Sequence, residues 1–223
     1  MKTALLISGL PRCVDRGVGD IQNCLMAPNN PDVFIHTWGN PNDQALRDKL
    51  TNYFHPKMLV IESPKIIHNT YIDIDRMIRK HAPGYGAFKF IEMTYSMWWS
   101  ILQANLLKET HRLEHNIHYD WVIRARFDIT YTKAVDCKSY NPDVLNIADR
   151  PGLPPEMVDD RFAFASETLM NLYCGWYNQI EWIWAKRDKM DGIICGETIV
   201  YEMCKLYNIT PSITPGLAAN HLR

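Results

Sequence analysis

The 223 residues suffice for one α/β domain with a sizeable buried core, and the 47% hydrophobic share excludes a disordered or fibrous chain. Lysine and arginine number 24 against 25 acidic residues, so no global field draws the protein to nucleic acid or to an anionic membrane, and any anion site is local. The cysteines Cys13, Cys24, Cys137, Cys174, Cys195 and Cys204 form no C-x-x-C pair, which reads as reduced thiols rather than a zinc site or a disulfide framework.

In chain order, the apolar run Ala4-Leu5-Leu6-Ile7 reads as a buried parallel strand leaving into the loop Ser8-Gly9-Leu10-Pro11-Arg12. This run is too short for a signal-peptide core or a membrane span, and no later one is long enough. The expectation is a cytoplasmic protein without a transmembrane segment, in the host cytoplasm if it is viral. A short helix over 19–26 and a turn at 28–31 lead to a second strand that starts at Val33-Phe34-Ile35 and ends near His36-Thr37-Trp38. Leu46, Leu50 and Phe54 give 42–54 helical spacing, and 58–62 reads as a third strand. This alternation predicts an α/β chain with a Rossmann-like, mostly parallel central sheet flanked by helices.

A charged helix over 72–80 and a break at Pro83-Gly84-Tyr85-Gly86 precede the longest helical pattern, 90–114. Residues 121–129 read as one strand that starts apolar and ends charged. The proline-rich stretch 140–156 reads as an irregular loop, 162–165 as a strand, 168–186 and 197–206 as helices, and the tail 211–223 as irregular. No repeat, low-complexity segment or linker interrupts the chain, so a single domain over 1–223 is expected.

Period-two spacing puts Arg124, Arg126 and Asp128 on one face of the strand 121–129, with the carboxylate at the end where ligands collect in open α/β sheets. Arg-Arg-Asp suits a diphosphate and its metal, and suits a structural ion pair at a sheet edge equally well. After the first strand, Gly9 lets backbone amides approach an anion and Arg12 can clamp a phosphate, although an ordinary βα turn reads the same way. Glu197, in Cys195-Gly196-Glu197-Thr198, falls in a first helical turn, as a base or as capping chemistry. Asp160, in Val158-Asp159-Asp160-Arg161, stands between loop and strand, placed to meet an acceptor hydroxyl or simply to be solvated. His221 is a metal-ligand candidate in a tail that would fold back. The literal D-x-D, Asp73-Ile74-Asp75, falls in the charged helix, where i,i+2 side chains diverge, and is set aside.

Taken in order, LLISGLPR, PDVFIHTWG, YDWVIRARFD, VDDRFAFAS and GETIVYEMC resemble the small GT-A type nucleotide-sugar glycosyltransferases of bacterial surface-polysaccharide clusters and of large, algal-type viruses. The resemblance spans nearly the whole chain. It implies a GT-A fold and transfer of a sugar from a nucleoside diphosphate donor, a UDP-sugar favoured, to a hydroxyl of a glycan or glycoprotein. It further implies that Ser8, Gly9, Arg12 and His36 hold the nucleotide, that Asp128 and His221 bind a divalent metal (Mn2+ or Mg2+), and that Glu197 or Asp160 is the base of an inverting reaction. The family's D-x-D is here Arg126-Phe127-Asp128, with an arginine in place of the first carboxylate.

In such a reaction the metal and the arginines neutralise charge on the leaving diphosphate, while the proline-rich loop limits hydrolysis. Two other readings are open. The loop from Ser8 to Arg12 resembles that of a sulfotransferase, which needs no metal, but no Lys-Thr pair follows the first strand. A carbohydrate-binding module would use Trp98, Trp99, Trp176, Trp182 and Trp184 as stacking platforms, although helical tryptophans are more commonly core.

Overall fold

Alternate residues of the first apolar run bury on opposite sides of a sheet, which explains why the run is continuous rather than alternating. In the computed structural model, which describes residues 1–65, 87–189 and 195–222 (side chains of 87–91 and 187–189 excepted), this run is β1 (Thr3–Gly9). Ala4 and Leu6 join one core cluster, Leu5 and Ile7 the other. The expected helix over 72–80, the break at 83–86 and the Asp73-Ile74-Asp75 motif lie outside the described residues.

After β1 come α1 (Val14–Ile21), a π-helical stretch (Gln22–Met26), a last turn α2 (Ala27–Asn29) and β2 (Asp32–Trp38). The predicted turn at 28–31 is helical for its first two residues, because Pro28 is tolerated in a first helical turn; Asn30, at φ 43°, then ends the run. Next are α3 (Gln44–Phe54), whose cap Asp43 accepts the Leu46 N–H at 2.9 Å, and β3 (Met58–Glu62). The long α4 (Ala87–His115) carries the chain back across the sheet to β4 (Trp121–Ala125).

The seven-stranded sheet has the order β3-β2-β1-β4-β7-β6-β8, with β6 (Asn146–Ala148), β7 (Ala163–Ala165) and β8 (Ser212–Thr214). Every adjacent pair is parallel except the two that β7 makes, with β4 and with β6. One face is covered by α4 with α5 (Glu167–Cys174), α6 (Ile180–Lys189) and α7 (Gly196–Leu206), through Trp98, Ile101, Tyr173, Ile183 and Ile199. Val14, Ile21, Leu25, Leu50 and Phe54 from α1 to α3 cover the other. Among the described residues no helix is long and apolar enough to cross a membrane.

Three expectations change. The strand predicted over 121–129 stops at Ala125; residues 126–128 turn, and β5 (Ile129–Tyr131) leaves the main sheet to pair antiparallel with β9 (Ala219–His221). The loop 140–156 and the tail 211–223 are not wholly irregular, since they contain β6, β8 and β9. These three-residue strands are fixed by their ladders, such as Ile147 opposite both Ile213 and Ala163, rather than by any period of their own. The helix predicted over 168–186 is broken at Gly175–Gln179 by a 3-10 segment that buries Trp176.

The turn after β4 is held from below by α1. A Cβ on Gly17 would collide with the Phe127 carbonyl oxygen and lie 3.2 Å from Leu222 Cδ1, so the helix passes this close only without a side chain there. Gly17→Ala is expected to lower stability by about 1–3 kcal/mol, the range of overpacked contacts, and a urea midpoint equal to that of the parent would contradict this close packing.

Candidate active site

β1 connects onward to β2 on one side, while β4 lies on its other side, so the strand order reverses between β1 and β4. Helix-connected parallel strands leave a crevice at the carboxyl ends of such a pair, and ligands of open α/β sheets bind there. A cavity of about 550 Å³ opens at this point. Ser8, Gly9 and Arg12 from the loop after β1, Arg124 and Arg126 from the end of β4, Asp128, Asp160, Glu197 and His221 all line it. Residues spread from 8 to 221 thus converge on one space. Apolar residues, Leu10, Trp38, Pro64, Met93 and Met97, complete the lining together with Lys65, Glu92, Thr94 and Ser96.

Arg124 is fully buried on β4, and its Nη1 donates to the Asp160 carbonyl oxygen. Among the described residues its Nε and Nη2 have no hydrogen-bond partner, and neither does the buried Ser8 Oγ, also on the cavity lining. Buried polar groups are normally paired, so these orphaned donors mark a place built for an acceptor from outside the chain. Arg126 makes a two-pronged ion pair with Asp128, Nε to Oδ1 and Nη2 to Oδ2, both at 2.9 Å. Arg12, more than half exposed, reaches Asp128 Oδ2 at 3.4 Å. Burial raises the Asp128 carboxyl, but the Arg126 hydrogen bonds and the charges of Arg126, His221 and Arg12 outweigh it and hold the group below its ordinary value.

His221 arrives on β9, whose ladder with β5 sets His221 opposite Ile129, and the Leu222 N–H donates to the Asp128 carbonyl at 2.9 Å. Its Nδ1 stands 3.9 Å from Asp128 Oδ2. Burial and the Arg126 charge lower its pKa against the pull of Asp128. The expected metal donors therefore meet, but both Asp128 oxygens are already in the Arg126 fork. Hard divalent cations take several oxygen ligands. One engaged carboxylate and one imidazole, with three guanidiniums on the same lining, do not fit such an ion as the side chains stand.

Asp160 and Glu197 meet at the start of α7. A Cβ on Gly196 would collide with the Asp160 carboxyl, so glycine there lets the acid lie against the helix end. Burial, then the Glu197 charge, push the Asp160 carboxyl up to about 6, against the opposing pull of Arg124 and Arg126. Glu197 goes the other way. Burial raises it, but its own backbone N–H, Arg150 at 2.5 Å and the Cys195 thiol bring it below its ordinary value. Arg150, in the proline-rich loop, was not signalled by any motif.

His36 does not line the cavity. It stands behind it, buried, with Nδ1 2.8 Å from Ser100 Oγ and Nε2 3.0 Å from Glu62 Oε2. Ser100 Oγ in turn accepts the Gly9 N–H at 2.9 Å, so His36 braces the loop after β1 at second hand. Glu62 also accepts from Trp99 Nε1 at 2.9 Å and Lys65 Nζ at 2.6 Å, and this places Lys65 on the cavity rim. Trp98, Trp176 and Trp184 are core residues, as their helical setting suggested, and none of the five helical tryptophans lines the cavity. No protein-family model and no curated protein sequence matches this chain.

The raised Asp160 carboxyl has a consequence for stability. Between its ordinary value of 3.8 and about 6 the folded chain holds this proton more tightly than the unfolded chain, so its contribution falls as pH rises through that window. Asp160→Asn is expected to raise the urea midpoint near neutral pH and to leave it little changed at about pH 4. Equal midpoints at both pH values would show that the acid is not perturbed by burial.

Proposed function

We propose that the chain is a GT-A type glycosyltransferase that moves a sugar from a nucleoside diphosphate donor to a hydroxyl of a glycan or glycoprotein, with inversion. One observation carries this reading: two unlike groups share one cavity at the strand-order reversal. The floor offers unpartnered guanidinium donors for a diphosphate, and beside it lies a buried carboxyl that titrates near neutrality, suited to a hydroxyl proton. The mostly parallel sheet, its reversal between β1 and β4 and the apolar residues of the cavity lining support the same reading.

In the proposed reaction the acceptor oxygen attacks the anomeric carbon on the face opposite the diphosphate. The bond from that carbon to the diphosphate oxygen breaks, the electron pair leaves with the diphosphate, and the hydroxyl proton passes to Asp160. Arg12, Arg124 and Arg126 neutralise the charge that grows on the departing group. Glu197 is the weaker base, because Arg150 stabilises it as an anion; its charge instead raises the proton affinity of Asp160. No step is routed through a metal.

Release of nucleoside diphosphate from UDP- and GDP-sugars, with simple glycosides as acceptors, tests this function. UDP-sugars are the first donors to try. Asp160→Asn is expected to lower kcat by about 10²- to 10⁴-fold, the usual size of a general-base contribution, with little change in KM for the donor. For the parent, kcat/KM is expected to rise with pH through about 6 as Asp160 ionises. Glu197, Asp159, Arg124, Arg126 and Arg150 are the charges set around that titration. If no sugar nucleotide in the panel is consumed, the reading is wrong.

A further inference from the structure

Building on the nucleotide-sugar reading, we infer that this site binds the diphosphate of its donor without a divalent cation, the Arg126 guanidinium standing against Asp128 where an ion would stand. Three observations meet at the same place. Arg126 takes both Asp128 oxygens at 2.9 Å, a planar fork-to-fork pair that leaves the carboxylate no free face in that plane. Arg12 approaches the same carboxylate at 3.4 Å from the loop after β1, so a second cation already shares the remaining charge. Arg124 contributes buried donors at Nε and Nη2 that no described residue satisfies.

The three guanidiniums act together. Arg12, Arg124 and Arg126 bring three positive charges to a lining that also carries Lys65 and the acids Glu92, Asp128, Asp160 and Glu197, and Asp128 is the acid whose carboxylate pairs with Arg12 and Arg126. A diphosphate needs that much neutralisation, and the guanidiniums supply it with directed hydrogen bonds. An added divalent ion would have to sit within a few ångströms of Arg126, where like charges repel. Displacing Arg126 from Asp128 would then leave a second guanidinium underpaired beside Arg124. The arginine at the first position of Arg126-Phe127-Asp128 is therefore read as the replacement for the ion, rather than as the loss of one of its ligands.

Isothermal titration of inorganic pyrophosphate, UDP and GDP into the full chain separates the possibilities. With EDTA present, pyrophosphate and one of the nucleotides are expected to bind, and saturating MgCl2 or MnCl2 should change the nucleotide affinity by less than about threefold. Arg126→Ala should weaken binding by about 10- to 100-fold, the size of a charge-assisted bidentate contact. Asp128→Asn keeps the shape of the site and removes the carboxylate that an ion standing in place of Arg126 would contact. Its nucleotide affinity in EDTA should stay within about threefold of the parent.

Binding that requires the metal in the parent and is lost in Asp128→Asn would overturn the inference, as would failure of pyrophosphate to bind under every condition. Pyrophosphate binding in EDTA without binding of either nucleotide would leave the anion site standing and sink the nucleotide-sugar reading instead. A thermal melt of each variant identifies any that fails to fold; Arg126→Lys, which keeps the charge and loses the fork, then replaces Arg126→Ala and should also bind more weakly.

Discussion

A guanidinium buried at the heart of the sheet governs the rest of this molecule. Arg124 stands opposite Leu6 in the β1–β4 ladder, next to fully apolar neighbours, and no part of it reaches solvent. Removing such a charge from water costs several kcal/mol unless partners repay it. The chain supplies the Asp160 carbonyl directly and the Asp160 carboxylate at longer range, and among the described residues leaves two donors open. Natural sequences break their own packing rules mainly at functional sites, and an underpaired arginine on a cavity wall is such a break.

Two acids of opposite character line the same cavity as that buried charge. Asp160 is pressed into the protein against the glycine that opens α7, and burial wins there. Glu197, one residue further along α7, turns to Arg150 and keeps its charge. Pairs of titratable groups driven apart in this way are how one site offers both an anion and a proton acceptor near neutral pH. Gly196 is the condition for the place of Asp160, since a Cβ there would collide with its carboxyl.

A supporting layer holds these groups in place. Ser100 of α4 ties His36 to the backbone of Gly9, and Glu62 gathers His36, Trp99 and Lys65 into one cluster at the end of β3. Beyond the cavity, the buried Lys108 bonds to Asn171 at 2.7 Å and to Glu167 at 3.2 Å, joining α4 to α5. The long helix is thus a strut from the rear of the sheet to the floor of the site. Such contacts fix rotamers, and fixed rotamers are what a site needs to meet a ligand without further ordering.

The parts legible in the sequence were those with a strong local signal. Continuous apolar runs marked β1, β2 and β3, because strands covered on both faces must be apolar at every position. Arg12, Arg124, Arg126, Asp128, Asp160, Glu197 and His221 were singled out by residue type beside strand ends, and one cavity gathers all of them. Three things depended on tertiary contacts. The strands β6, β8 and β9 are too short to show a period and exist through their ladder partners. The side chain of His36 was drawn back to Ser100 and Glu62, groups 64 and 26 residues away that no local pattern connects to it. The pairing of Arg126 with Asp128 came from a turn rather than a strand, since β4 ends at Ala125 and α1 packs against that turn at Gly17. The sequence by itself determined which chemical groups stand at the ends of the strands; which of them pair with each other, and which are left to meet a ligand, was decided by packing between elements far apart in the chain.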